Sequence, residues 1–145
     1  MRDRKRVAAE RFAQGFNCAQ ATLCAFADDA GIDERTALLL SSSFGGGMGM
    51  KGACGALTGM FMAAGLLRGF AEPDQAGKRA HQASIKDMAE TFRERFGALD
   101  CRDLLKLLAE NPPPPGANAG ARPCQRFVQG AVEILEERLN NERKH

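Results

Sequence analysis

The sequence predicts an all-α protein, a compact multi-helix bundle in which a glycine-rich loop leads into a central buried helix. Three observations carry that expectation. Apolar residues recur at helical spacing along nearly the whole chain. β-branched residues are scarce, so no run reads as a strand. Most periodic stretches also begin at a capping residue or end at a glycine.

In order, residues 3 to 15 form a polar helix with Val7, Ala8 and Phe12 facing inward, ended by Gly15. Residues 18 to 29 form a mostly buried helix closed by Gly31, and Asp33 caps a short one running to about Ser42. The run FGGGMGMKG, residues 44 to 52, is a loop whose glycines call for positive φ or close backbone approach. It enters a helix from about Ala53 to Leu67, where Gly55, Gly59 and Ala63, four apart, make a ridge for close packing. A long helix covers Asp74 to Phe96, with Ile85, Met88, Ala89, Phe92 and Phe96 on one face, and Gly97 stops it. A short helix from Cys101 to Ala109 precedes NPPPPGANAGARP, which is too rich in proline for helix and is expected as a loop of polyproline character. The last helix, Cys124 to about Arg138, turns Phe127, Val128, Ala131, Ile134 and Leu135 inward.

Residues 1–145 read as a single domain, long enough to bury a core without disulfides or metal. A hydrophobic fraction of 44%, a charged fraction of 26% and a net charge of +2 are those of a soluble globular chain, with no excess of charge for nucleic acid or anionic membranes. The stretch ACGALTGMFMAAGLL is too short and glycine-rich to cross a bilayer, so no membrane insertion is expected. The opening MRDRKR and closing NNERKH read as solvated ends, and the acidic pairs Asp28, Asp29 and Glu136, Glu137 as solvated faces. No apolar export segment follows the basic start, so the expected compartment is the cytoplasm. There thiols stay reduced, and five cysteines point to metal binding or redox chemistry rather than structural disulfides.

Four of the five, Cys18, Cys54, Cys101 and Cys124, stand where helices are expected to start. Asn17 and Asp100 precede two of them as N-caps, Pro123 precedes a third, and the glycine loop ending at Gly52 precedes Cys54. A sulfur there lies near unpaired N–H groups and the positive end of the helix dipole, so its pKa is expected to fall below roughly 8.5. The residues three and four further on are mostly apolar, which turns all four sulfurs toward the interior. Cys24 points elsewhere on its helix and is left out of the set. The four can converge as ligands of a metal or cluster, or work as two redox pairs. With no C-x2-C pair, a common zinc arrangement and thioredoxin-type chemistry are both disfavoured.

NCAQATLCAF, FGGGMGMKGACGALTG, LDCRDLL and the late Cys124, taken in order, resemble the C_GCAxxG_C_C family of redox-active proteins. The family label writes Gly-Cys-Ala where this chain has Cys54, Gly55, Ala56. The resemblance implies redox activity through Cys18, Cys54, Cys101 and Cys124, most concretely as ligands of a [2Fe–2S]-type iron–sulfur cluster for electron transfer or redox sensing. The backbone at Gly52, Gly55, Ala56 and Gly59 would then approach the cofactor, and the partner would be another redox protein. Two alternatives stand beside it: a metal-free thiol–disulfide protein in which Cys54 or Cys124 attacks, and a zinc-stabilised helical binding scaffold.

Other signals are weaker. Gly47, Gly49 and Gly52 satisfy G-x-G-x-x-G, but a helix rather than a strand precedes them, which argues against a dinucleotide site, and Lys51 lacks the context of a Walker loop. Met48, Met50, Met60 and Met62 read as gap fillers rather than copper ligands. His81 falls on the inward stripe of the long helix, as a core or subunit-contact residue or a second-rank donor to the cysteine centre. The small-residue surface is compatible with a homodimer.

Overall fold

A computed structural model describes residues 3–112 and 122–143. Among the described residues it contains eight α-helices and no β-strand: α1 (Arg4–Ala13), α2 (Cys18–Cys24), α3 (Ala27–Ala30), α4 (Glu34–Ser41), α5 (Gly55–Arg68), α6 (Gln75–Phe96), α7 (Cys101–Glu110) and α8 (Gln125–Arg143). The expected helix over 18 to 29 is two, because the chain breaks at Ala25 and Phe26 before restarting as α3. The expected proline-rich loop lies largely outside the described residues.

The ends of the helices follow their local chemistry. Asp3, Asn17, Asp33 and Asp74 cap α1, α2, α4 and α6 through their side chains. At α2 the cap is reciprocal: Asn17 accepts from the Gln20 N–H at 2.8 Å, and Gln20 accepts from the Asn17 N–H at 3.0 Å. Gly31 and Gly97 take left-handed conformations at the ends of α3 and α6.

The core gathers the expected faces. Phe12, Leu23, Phe26, Met60, Met88, Phe92, Val128 and Leu135 are all buried, with Ile85, Ala89 and Phe96 half-buried beside them. The crossing of α2 and α5 sets the closeness of the bundle. A Cβ at Gly59 would stand 2.7 Å from the Ala19 carbonyl oxygen and 3.0 Å from Thr22 Cβ, and one at Gly55 would stand 3.1 Å from Cys18 Cβ. The small-residue ridge therefore brings the two backbones together, as its spacing predicted.

The N-terminal segment departs from expectation. Arg4 is only 8% exposed. Its Nε and Nη2 donate to Asp29 at 2.9 Å and its Nη1 donates to Glu136 at 2.9 Å. The basic start is thus partly an interior brace between α1, α3 and α8, and Asp29 and Glu136 are its counter-ions rather than merely solvated acids. Hydrogen bonds to Asp29 lead in holding the guanidinium firmly charged.

Gly59→Ala tests the crossing. Helix propensity alone would stabilise the variant by about 1 kcal/mol, whereas overpacking against the α2 backbone costs about 1–3 kcal/mol. The packing cost is expected to win, lowering the urea midpoint; a raised midpoint would contradict the contact.

Candidate functional site: a four-cysteine cavity

Each of the four cysteines occupies a helix start. Cys18 is the first residue of α2, behind the Asn17 cap. Cys54 is the N-cap of α5, and the backbone N–H groups of Ala56 and Leu57 face its sulfur. Cys101 opens α7. Cys124 immediately precedes α8, its carbonyl accepting from the N–H groups of Phe127 at 3.0 Å and Val128 at 3.3 Å.

The glycine loop links two of these starts. Gly46, Gly47, Met48 and Gly49 run consecutively through left-handed conformations, with φ of 63°, 62°, 60° and 71°. Met48, and Lys51 at φ 57°, hold that conformation without glycine's freedom, at about 1–2 kcal/mol each. The turn closes as the Gly52 N–H donates to the Gly47 carbonyl at 2.9 Å. A Cβ on Gly47 would collide with the Gly52 backbone nitrogen and stand 2.9 Å from Cys101 Cβ. Beyond the turn, Ala53 pairs antiparallel with Asp100. The Cys54 N–H donates to Leu99 at 2.9 Å and the Cys101 N–H to Gly52 at 2.6 Å. That pairing sets Cys54 beside Cys101. Asp100 holds the expected cap position, but its side chain makes no capping hydrogen bond.

All four cysteines line one cavity of about 320 Å3. Phe12, Leu104, Leu105, Pro123 and Phe127 supply most of its apolar wall, and Arg122 is its one charged side chain among the described residues. Gly55 also lines it. Ala56 offers its N–H to Cys54, whereas Gly52 binds Cys101 through its carbonyl and Gly59 packs on α2 away from the cavity wall. Cys24 is buried in the core, close enough to Arg11 to favour its charge. His81 meets Phe70 edge-on at 6.1 Å between ring centres and lies beside a different cavity, with Arg68 and Ser84.

The sulfurs are not electrostatically equivalent. Cys18 and Cys124 act on each other as a hydrogen-bonded pair, which leads in raising Cys18 far above its ordinary value and in lowering Cys124 to about 7. Arg122 also favours ionisation at both. Burial pushes Cys54 up to about 11, against the pull of the Ala56 and Leu57 N–H groups. Cys101 is raised by burial and by its neighbour Cys124, with Lys51 opposing. The helix-start expectation of a lowered pKa therefore fails for Cys18, Cys54 and Cys101, where burial or neighbouring sulfurs dominate, and at Cys124 the lowering comes from Cys18 and Arg122 rather than from helix amides.

Among the described residues, no group of three or more His, Cys, Asp or Glu side chains is arranged to hold a metal ion. Arg122 was not singled out by the sequence, because its signal is tertiary: it stacks on a ring at the far end of the chain.

The fold and site define an all-helical protein in which four of the five cysteines share one cavity. Residues 16–138 match the family described as "Putative redox-active protein (C_GCAxxG_C_C)", and the chain belongs to that family. Comparison with curated proteins and with solved structures gives no match.

Alkylation with iodoacetamide is expected to modify Cys124 ahead of Cys54, with a rate that rises as pH climbs through about 7, because raising pH removes the proton from the reacting sulfur. Cys18→Ala deletes the partner of that thiolate and should move the profile upward toward the ordinary thiol range. A Cys124 profile unmoved by Cys18→Ala, read by mass spectrometry, would contradict the pairing.

Proposed function

We propose that this is a redox protein in which Cys18, Cys54, Cys101 and Cys124 form a single centre, and that the centre is a sulfur-ligated iron–sulfur cluster of [2Fe–2S] type. The observation that carries the reading is the shared cavity: four thiols from four helix starts open into one largely apolar space. The donor set fits such a group chemically, since thiols are the soft ligands that iron–sulfur clusters take. When bound, a cluster of this kind accepts and returns an electron.

This chain's own residues supply the rest. Four thiolates bring negative charge into an apolar wall, which the Ala56 and Leu57 N–H groups and the Arg122 cation offset in part. Phe12, Leu104 and Phe127 give the sulfurs an apolar wall. Backbone at Gly55 and Ala56 lies beside the centre, while Gly52 and Gly59 act at one remove through Cys101 and α2. The partner in this reading is a second redox protein, and the reducing cytoplasm is the compartment that suits it. No helix among the described residues is long and apolar enough to cross a membrane.

The hydrogen bond between Cys18 and Cys124 favours a second reading, thiol–disulfide exchange. Cys124 thiolate attacks one sulfur of a disulfide substrate, that S–S bond breaks, and the departing thiolate takes up a proton. Cys18 then loses its proton and attacks Cys124 Sγ, expelling the second thiol. The substrate gains two electrons and the Cys18–Cys124 pair loses them.

Anaerobic purification with iron and labile-sulfide analysis separates the two. Iron with matching sulfide and a visible absorption band is expected, and Cys→Ser at any of the four should remove most of the band. A colourless, iron-free protein that forms a Cys18–Cys124 disulfide would replace the first reading with the second.

A further inference from the structure

Arg122 stands two residues before Cys124. Its guanidinium lies 3.7 Å from the centre of the Phe12 ring, and Nη1 donates to the carbonyls of Phe12 at 2.8 Å and Phe16 at 2.7 Å. Those acceptors sit at and just beyond the C-terminal end of α1, where helix carbonyls lack intrahelical donors and the dipole favours a cation. Phe12 itself is buried, so the surface under the guanidinium is fixed.

The location matters more than the bonds taken singly. Phe16 lies two residues before Cys18, and Arg122 two residues before Cys124. One guanidinium therefore ties together the two chain segments that deliver Cys18 and Cys124 to the same cavity. Between Arg122 and Cys124 stands Pro123, whose ring restricts the backbone, and the Arg122 carbonyl accepts from the Gln125 N–H at 3.1 Å. The arm is thus pinned to α1 at one end and to α8 at the other.

We propose that Arg122 is the positioning residue of the cysteine centre, holding Cys124 against Cys18 through its clamp on the end of α1. The inference rests on the reading that these two sulfurs belong to one redox centre, and it adds the residue that sets their separation. The role requires a planar fork with a stacking face. Lysine keeps the charge but offers neither the flat face over Phe12 nor the same rigid donor geometry.

The test is the effective concentration of the Cys18–Cys124 pair, measured in the full chain by equilibration with glutathione redox buffers containing a chelator, with thiols counted by mass spectrometry. Arg122→Lys is expected to lower that value about tenfold, since small misplacements of reacting groups are costly. Charge alone predicts otherwise: the retained cation would leave the value unchanged, and a weakened cation would favour disulfide over thiolate and raise it. An unchanged or raised value in Arg122→Lys overturns the inference. Phe12→Leu, which keeps apolar bulk but removes the ring, should shift the value in the same downward direction, by about threefold; circular dichroism checks that both variants remain folded, and no drop in a folded Phe12→Leu also overturns the clamp. If the wild-type chain never forms the Cys18–Cys124 bond, the pairing itself falls and the inference with it. A wild type that forms it, with a variant that matches it, defeats the role of Arg122 alone.

Discussion

The close crossing of α2 on α5 is the contact on which the site depends. Gly55 and Gly59 present no side chain to Ala19, Thr22 and Cys18, so the two helices meet backbone to side chain at distances that a methyl group would disturb. Because Cys18 begins one of these helices and Cys54 caps the other, that closeness also brings two of the four sulfurs to one place. The packing that builds the core and the packing that builds the cavity are the same contact.

The other two sulfurs arrive by different means. Cys101 is attached to Cys54 through a single antiparallel backbone pairing, possible only because the preceding turn spends several residues in left-handed conformations. Cys124 arrives on α8, whose buried face of Phe127, Val128, Ala131 and Leu135 runs through the core. Arg4 supports this arrangement at a distance, since its bonds to Asp29 and Glu136 join α1, α3 and α8. The four helix starts that line the cavity are thus each held by a different set of contacts.

The electrostatics of the cavity show competition between local and global terms. A helix start favours thiolate through its amides, and burial opposes it. At Cys54 two amides face the sulfur and burial still wins; at Cys124 the hydrogen-bonded partner Cys18 and the nearby guanidinium reverse the balance. Position on a helix is therefore insufficient to predict which sulfur ionises, because desolvation and neighbouring protons act over distances that cross from one helix to another.

The sequence by itself determined most of the helices, the caps at Asn17 and Asp33 and the inward faces of α1, α6 and α8, because these depend on residues three or four apart, whereas the break at Ala25 and Phe26 and the unused Asp100 cap did not follow from it. The four cysteines at helix starts, the positive φ of the glycine loop and the packing ridge of α5 were legible for the same reason. What the chain could not display was the pairing of Cys18 with Cys124, the burial of Arg4 in a segment that reads as a solvated end, and the seat of Arg122 on Phe12. The Arg122 bonds join residues 110 and 106 positions apart, and the Arg4 bond to Glu136 spans 132. Contacts of that reach are set by how helices pack against one another, and no periodicity records them. Tertiary structure alone therefore decided which sulfurs share a cavity and where the Arg122 guanidinium sits beside them.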